Sequence, residues 1–305
     1  MPEIIEVRNC ADFIKKKIKK NEIIDIKILN GRYKNKGPFE NYKKLKNNLP
    51  LKLIDVKTKG KMLYLIFDKN LFLVNRLGLM GGWCFMKNNS NKYEHPDTYK
   101  YYLKYGDKEM MEKYIKNSLN HLNFEIETTQ GKLYYYDVLS YGTLKCVDNL
   151  NEMNKILKTL GPDIMDKNTT FEIFKNQILK KNNLDKMIGN IIINQKIISG
   201  LGNYLRSDIL WYSKINPLRK VKNLSNQELE NIFNASKILT WGIYDNTYAH
   251  KFNIINKKTK LPFHYNRLFF IYMQNNDIFG NKVIKKELFD GSQKRFISYV
   301  PSIQK

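Results

Sequence analysis

Gly200-Leu201-Gly202-Asn203-Tyr204-Leu205-Arg206 lies between two stretches whose apolar residues repeat at helical spacing, Met187–Ile198 before it and Tyr204–Tyr212 after it. Two glycines one residue apart let the backbone turn tightly and approach a ligand closely. Asn203 falls at the start of the second helix, where unsatisfied N–H groups favour an anion. The chain carries a formal charge of +24, from 53 Lys and Arg against 29 Asp and Glu. On such a chain the obvious anion is a nucleic-acid phosphate. Lysine and asparagine are abundant everywhere in the sequence, so the charge alone also fits a compositional bias.

Working back from this turn, residues 170–245 read as mainly helical. Ser225-x-x-Glu228 is a capping box that opens a helix through Ile232, Ala235, Ile238 and Leu239. Met153, Ile156, Leu157 and Leu160 form one more helical pattern, which Gly161-Pro162-Asp163 stops. Before residue 150 the period changes. Val7, Cys10, Ala11, Ile14 and Ile18 predict an amphipathic helix over 3–20. Ile24, Ile26 and Ile28 alternate with Asp25 and Lys27 as a strand does. Further short strands are expected at Leu51–Val56, Met62–Phe67, Leu71–Asn75, Leu122–Thr128, Lys132–Asp137 and Thr143–Val147. Many short strands after one helix predict a β-sandwich. Residues 87–120 are polar and Tyr-rich and read as an insertion between strands. After the helices, Asp290-Gly291 predicts a tight turn between Lys285–Phe289 and Arg295–Val300. A two-stranded hairpin is marginal alone, so this one must lean on the helical region.

At 305 residues the chain is long enough for two domains, and 42% apolar residues can fill two cores. The three cysteines, Cys10, Cys84 and Cys146, are far apart and form no C-x-x-C, which argues against a disulfide framework or zinc site and for a reducing compartment. No run of 18 apolar residues and no signal peptide is present, so the expected location is intracellular.

Pro2 and Glu3 are candidates for chemistry. Removal of Met1 would make Pro2 a free secondary amine. An α-amino group has a pKa near ~8, so roughly a tenth is neutral at pH 7, which makes it a usable nucleophile. The neighbouring carboxyl of Glu3 can act as a general acid. The same residues also suit a first helical turn, with Pro at its start and acids at its positive end. Lys61 follows Gly60 and opens the apolar strand Met62–Phe67. Leu77-Gly78-Leu79-Met80-Gly81-Gly82-Trp83 reads either as a tight strand connection or as a loop presenting an apolar wedge to a base stack.

Together these segments resemble the formamidopyrimidine-DNA glycosylase/endonuclease VIII family of base-excision repair enzymes. Met1-Pro2-Glu3-Ile4-Ile5-Glu6-Val7 resembles the family's N-terminus, Gly60-Lys61 its catalytic lysine, Leu160-Gly161-Pro162-Asp163 its interdomain linker, and Gln195–Arg206 the turn of its helix–two-turn–helix. The resemblance implies an α+β fold: an N-terminal β-sandwich domain with flanking helices over 1–150, a linker over 151–168, a helix–two-turn–helix domain over 169–262, and a terminal hairpin over 263–305. Most bacterial members end in a four-cysteine zinc finger. This chain has no cysteine after Cys146, so its tail resembles the metal-free "zincless finger" of some members, and no metal or organic cofactor is expected.

The resemblance also implies roles. Pro2 would attack the sugar, Glu3 would supply a proton, Lys61 would join them, and Glu6 would orient the N-terminus. Asn203, Lys61 and Arg295 would grip phosphates. Leu79 and Tyr141 would fill the gap left by a flipped nucleotide. The formamidopyrimidine branch carries arginines within the segment corresponding to Asp137–Gly142, where this chain has Leu139 and Ser140. That departure, with Leu79-Met80-Gly81-Gly82-Trp83 closer to the endonuclease VIII branch, points to oxidised pyrimidines ahead of 8-oxoguanine and to loose selection of the opposite base. The expected partner is damaged DNA, double-stranded and also single-stranded, bound by a monomer in the DNA-containing compartment. The competing reading is a catalytically inactive nucleic-acid-binding protein that retains the fold.

Overall fold

The computed structural model describes residues 2–19, 21–96, 108–251, 269–290 and 293–305. The expected Gly291 turn, part of the 87–120 insertion and the start of the 263–305 hairpin lie outside them. The chain forms two compact units, Met1–Lys158 and Thr159–Lys305.

The first unit opens with helix α1 (Ile4–Ile18), which buries Ile4, Val7, Ala11, Ile14 and Ile18 along one stripe. Strands β1 (Glu22–Ile28), β2 (Leu51–Lys59), β3 (Met62–Phe67), β4 (Phe72–Arg76), β5 (Gly81–Lys87), β6 (Tyr93–Glu94), β7 (Leu122–Thr128), β8 (Gly131–Asp137) and β9 (Thr143–Val147) follow. Short helices α2 (Arg32–Asn35) and α3 (Tyr42–Asn47) lie between β1 and β2. Helix α4 (Lys108–Leu119) precedes β7, and α5 (Leu150–Lys158) closes the unit.

All nine strands form one antiparallel ladder in the order β6-β5-β8-β7-β1-β2-β3-β4-β9. The ladder folds over on itself. Trp83 of β5 and Asn75 of β4, near its opposite ends, meet through an indole donation of 2.9 Å. Leu63, Leu65, Leu73, Trp83, Phe85, Phe124, Leu133 and Tyr135 fill the space between the two halves. This is the expected sandwich, with α1 packed on β2, β3 and β5.

Three local expectations change. The alternation of Ile24, Ile26 and Ile28 breaks, because the register slips between Ile23 and Asp25: Ile23 and Ile26 are buried while Ile24 is exposed. Gly81-Gly82-Trp83 is the start of β5 rather than loop, with Trp83 fully buried. Part of the 87–120 insertion is the helix α4, whose Tyr114 donates its hydroxyl to Met80 O at 3.2 Å.

The second unit contains α6 (Phe171–Ile178), α7 (Ile188–Ile191), α8 (Asn203–Tyr212) and α9 (Asn226–Lys251), then the hairpin strands β10 (Ile284–Asp290) and β11 (Gln293–Tyr299). The Ser225 capping box is formed: Glu228 N donates to Ser225 Oγ at 3.2 Å and Ser225 N to Glu228 Oε2 at 2.8 Å. The pattern over Met187–Ile198 yields only the single turn α7. Asn194 turns the chain, accepting from Lys196 N on its side chain and from Ile197 N and Ile198 N on its carbonyl.

The hairpin does lean on the helices. Its strands pair from Ile284–Tyr299 to Asp290–Gln293, and β11 lies against α8. The chain entering it is tied to α8 by two carboxylates. Asp208 accepts from the N–H groups of Phe270, Ile271 and Tyr272 at 3.1–3.2 Å. Asp277 accepts from Phe279 N, Asn281 N and the Trp211 indole at 2.8–3.1 Å. Trp211 also stacks on Phe270 and Phe279, with centroids 5.3 and 6.1 Å away.

Burial pushes the Asp277 carboxyl up, but donation from Asn281, Trp211 and Phe279 outweighs it and holds the group below its usual range. Its stabilisation is therefore present above the ordinary aspartate pKa and lost as pH falls through the lowered one. Asp277→Ala is expected to cost about 2–4 kcal/mol, since it strands buried donors, read by chemical denaturation through tryptophan emission. Asp277→Asn should flatten the acid limb of the stability–pH curve. An unchanged acid limb would rule out this anchoring role.

Candidate active site and nucleic-acid interface

Glu3 is the N-cap of α1, and its side chain is fully buried. Glu3 and Glu6 form a reciprocal capping box in which Glu3 N donates to Glu6 Oε2 at 2.8 Å. Glu6 thus holds the peptide that joins Pro2 to Glu3. Pro2, Glu3 and Glu6 stand together at the positive end of a 15-residue helix. This is the geometry of the helix-start reading.

Lys61 is half-buried in the two-residue turn between β2 and β3, after Gly60 at φ +56°. Lys15, in the last turns of α1, pairs with Asp55 of β2 at 2.6 Å. Helix α1 packs on β2 and β3, the two strands that the Lys61 turn joins.

Leu79 and Tyr141 are brought onto abutting loops. A Cβ on Gly78 would meet Gly142 N at 2.5 Å and Tyr141 C at 2.7 Å, and Gly78 sits at φ +69°. Only glycine fits there. Leu79, Leu139 and Tyr141 are all exposed, at 39%, 45% and 63%. Three exposed apolar side chains on two joined loops make a projecting apolar edge.

Asp137, unassigned by the sequence reading, pins the second loop. Its Oδ2 accepts from Gly142 N at 2.6 Å and from the Tyr135 hydroxyl at 3.4 Å, and burial pushes its carboxyl up. Arg32 donates to Gly142 O at 3.2 Å. Ser140 takes φ +56° to close the loop.

In the second unit Asn203 is the first residue of α8, behind Gly200 at φ +114°. Gln195 staples this turn: its Nε2 donates to Ile193 O and Leu201 O at 2.8 Å, and its Oε1 accepts from Gly200 N at 2.9 Å. Gly161 packs against the same turn, donating to Gln195 O at 2.8 Å. Arg295 shares a face of β11 with the buried Ile297 and Tyr299. Arg206 connects the two: its Nη2 donates to Asn203 Oδ1 at 3.1 Å and to Phe296 O at 2.8 Å. Arg206 stands in the stretch that marked the turn, but nothing in its spacing signalled burial.

Among the described residues, no cluster of three or more His, Cys, Asp or Glu side chains could hold a metal ion. Cys10, Cys84 and Cys146 are free and buried, and burial pushes the Cys10 thiol up to about 12. No described helix is long and apolar enough to cross a membrane.

A proline and a buried acid at a helix start, an apolar edge, and a glycine turn beside a basic hairpin on an α+β frame fit one class: a DNA glycosylase fold with a helix–two-turn–helix. The comparisons agree. Residues 1–144 match the formamidopyrimidine-DNA glycosylase N-terminal domain and residues 160–252 the formamidopyrimidine-DNA glycosylase H2TH domain. Among curated relatives, the formamidopyrimidine-DNA glycosylase of Mycoplasma genitalium is 27% identical over 246 residues, covering 80% of this chain and 75% of the relative. Endonuclease 8 of Enterobacter sp. is 24% identical over 271 residues, covering 85% and 90%. The fold matches Lactococcus lactis formamidopyrimidine-DNA glycosylase, solved non-covalently bound to DNA containing an AP site, with a TM-score of 0.72 at 16% identity over 99% of both chains. The chain belongs to the formamidopyrimidine-DNA glycosylase/endonuclease VIII family of DNA glycosylase/AP lyases.

The contact between the two loops gives a direct test. Gly78→Ala is expected to destabilise the protein by about 2–3 kcal/mol, because it adds both a clash and a strained φ. Circular dichroism should show a melt lowered by several degrees. A melt equal to the parent's would mean that the loops do not abut.

Proposed function

We propose that this glycosylase excises oxidised pyrimidines in preference to 8-oxoguanine and cuts the strand through a Schiff base on Pro2. The observation that carries the reading is the Pro2–Glu3 peptide held by Glu6, with the Glu3 carboxyl buried beside it.

A stacked base is out of reach, so the nucleotide is flipped, at a cost of a few kcal/mol. Leu79 and Tyr141 fill the vacated space, and the exposed Leu139 extends their apolar edge. Asn203, Lys61 and Arg295 hold phosphates flanking the extruded sugar. With Met1 removed, the Pro2 nitrogen bonds to C1′. The N-glycosidic bond breaks with its electron pair leaving on the base, which takes up a proton, and the Pro2 nitrogen gives up its own; the C1′–O4′ bond then opens as that nitrogen's lone pair forms the iminium, with Glu3 supplying a proton to the departing O4′ or base. The resulting iminium acidifies the C2′ proton. Its removal expels the 3′ phosphate by β-elimination, and a second elimination expels the 5′ phosphate. Water then releases the sugar fragment from Pro2. No step needs a metal or cofactor.

Leu139 and Ser140 bear no guanidinium, so the opposite base meets no bidentate arginine contact and is selected loosely. The same feature lets single-stranded DNA serve as substrate, and a monomer suffices.

Borohydride reduction during turnover should trap a covalent protein–DNA adduct, seen as a shifted band and confirmed by mass. Glu3→Gln should lower trapping at least a hundredfold while abasic-site DNA is still bound, in line with loss of a general acid (about 10²–10⁴), and protein that retains Met1, whose Pro2 nitrogen is an amide, should give no adduct at Pro2. In a lesion panel, incision should be faster for oxidised pyrimidines than for 8-oxoguanine and should vary little with the opposite base. No adduct from protein with a mature Pro2 terminus would sink the Schiff-base mechanism. Faster 8-oxoguanine incision would sink the substrate preference alone.

A further inference from the structure

Arg206 is among the largest fully buried side chains of the molecule. Its Nη1 donates to Gly189 O of α7 at 3.0 Å, and its Nη2 donates to Asn203 Oδ1 at 3.1 Å and to Phe296 O at 2.8 Å. A guanidinium has donors and no acceptor. The Asn203 atom facing it is therefore the carbonyl oxygen, and the orientation of the amide follows from chemistry. The amide nitrogen is left with two N–H donors, and among the described residues no acceptor is bonded to it. Asn203 is half-buried and sits in the first turn of α8, where backbone N–H groups also favour an anion. Phe296, bound to the same Nη2, is the neighbour of Arg295 on β11.

We propose that Arg206 is a positioning residue for DNA binding: it turns the Asn203 amide so that its NH₂ meets a backbone phosphate, and it holds the strand bearing Arg295 beside that amide. The inference rests on reading Asn203 and Arg295 as phosphate contacts. A lysine in its place carries the charge but has one nitrogen, which cannot span Gly189, Asn203 and Phe296 together.

The test is a double-mutant cycle on affinity for a duplex with a stable abasic-site analogue, read by fluorescence anisotropy at fixed salt. Asn203→Ala is expected to weaken binding roughly tenfold to a hundredfold, the range for a hydrogen bond to a charged group. Arg206→Lys should weaken it at least as far. In the double variant, losing Asn203 should cost less than about twofold beyond Arg206→Lys, because the amide is already misdirected. Full additivity would overturn the proposal while leaving the phosphate contact intact. An unchanged affinity for Asn203→Ala would instead remove the reading beneath it. Should Arg206→Lys fail to fold, Asn203→Asp decides. Its carboxylate accepts from Arg206 but offers no donor outward, so its melting temperature should equal or exceed the parent's while DNA affinity falls as far as for Asn203→Ala. A lowered melt would show that Arg206 does not donate to position 203.

Discussion

The second unit depends on burying the Arg206 guanidinium. Removing a charge from water costs several kcal/mol unless its donors are met. Here the acceptors come from three places at once: Gly189 in α7, Asn203 at the head of α8 and Phe296 in β11. None of the three elements can shift without stranding a donor. That requirement explains how a two-stranded hairpin and a one-turn helix, neither stable alone, hold fixed positions. The neighbouring polar ties point the same way. Ser298 N donates to Ser207 Oγ at 3.3 Å and Asn190 Nδ2 donates to Phe289 O at 2.6 Å, so both hairpin strands are fastened to the helices by hydrogen bonds. Asp208 and Asp277 do the same for the chain that enters the hairpin.

The first unit is organised differently. Its frame is an apolar sandwich, and its polar ties lie where loops must be exact. Gly78 lets two loops touch, Asp137 closes one of them, and Tyr114 holds Met80 at the root of the other. A projecting edge of Leu79, Leu139 and Tyr141 would collapse onto the surface if the loops beneath it were slack. The sandwich gives rigidity, and these ties carry it out to the exposed side chains.

How much was legible in the sequence follows from these differences. The capping box at Ser225, the strands Met62–Phe67 and Leu122–Thr128, and helix α1 were readable because local pattern and packing agree there. Strand β5 was hidden by Gly81 and Gly82, which weaken strand propensity. They stand there because a Cβ at either would collide with the hydroxyls of Tyr135 and Tyr136, at 2.9 and 2.3 Å. The Met187–Ile198 stretch misled because its isoleucines are buried on all sides, so they repeat without forming one helix. Pro2, Glu3, Lys61 and Asn203 could be put forward as candidates from motif order. Arg206 and Asp137 could not: a buried charge is recognised by its partners, and those come from residues up to 90 positions away.

Glu3 bears on whether the first helix was built for chemistry. A cap needs only an acceptor, and serine, threonine or aspartate at the surface supplies one without burial. Glu3 occupies that position with a fully buried side chain, where acids are seldom found. Under the mechanism proposed above, this carboxyl, next to a peptide pinned by Glu6, would exchange a proton with the substrate. The capping box sets where that carboxyl stands, so the feature that makes the motif look merely structural is also what would give it a fixed position for catalysis.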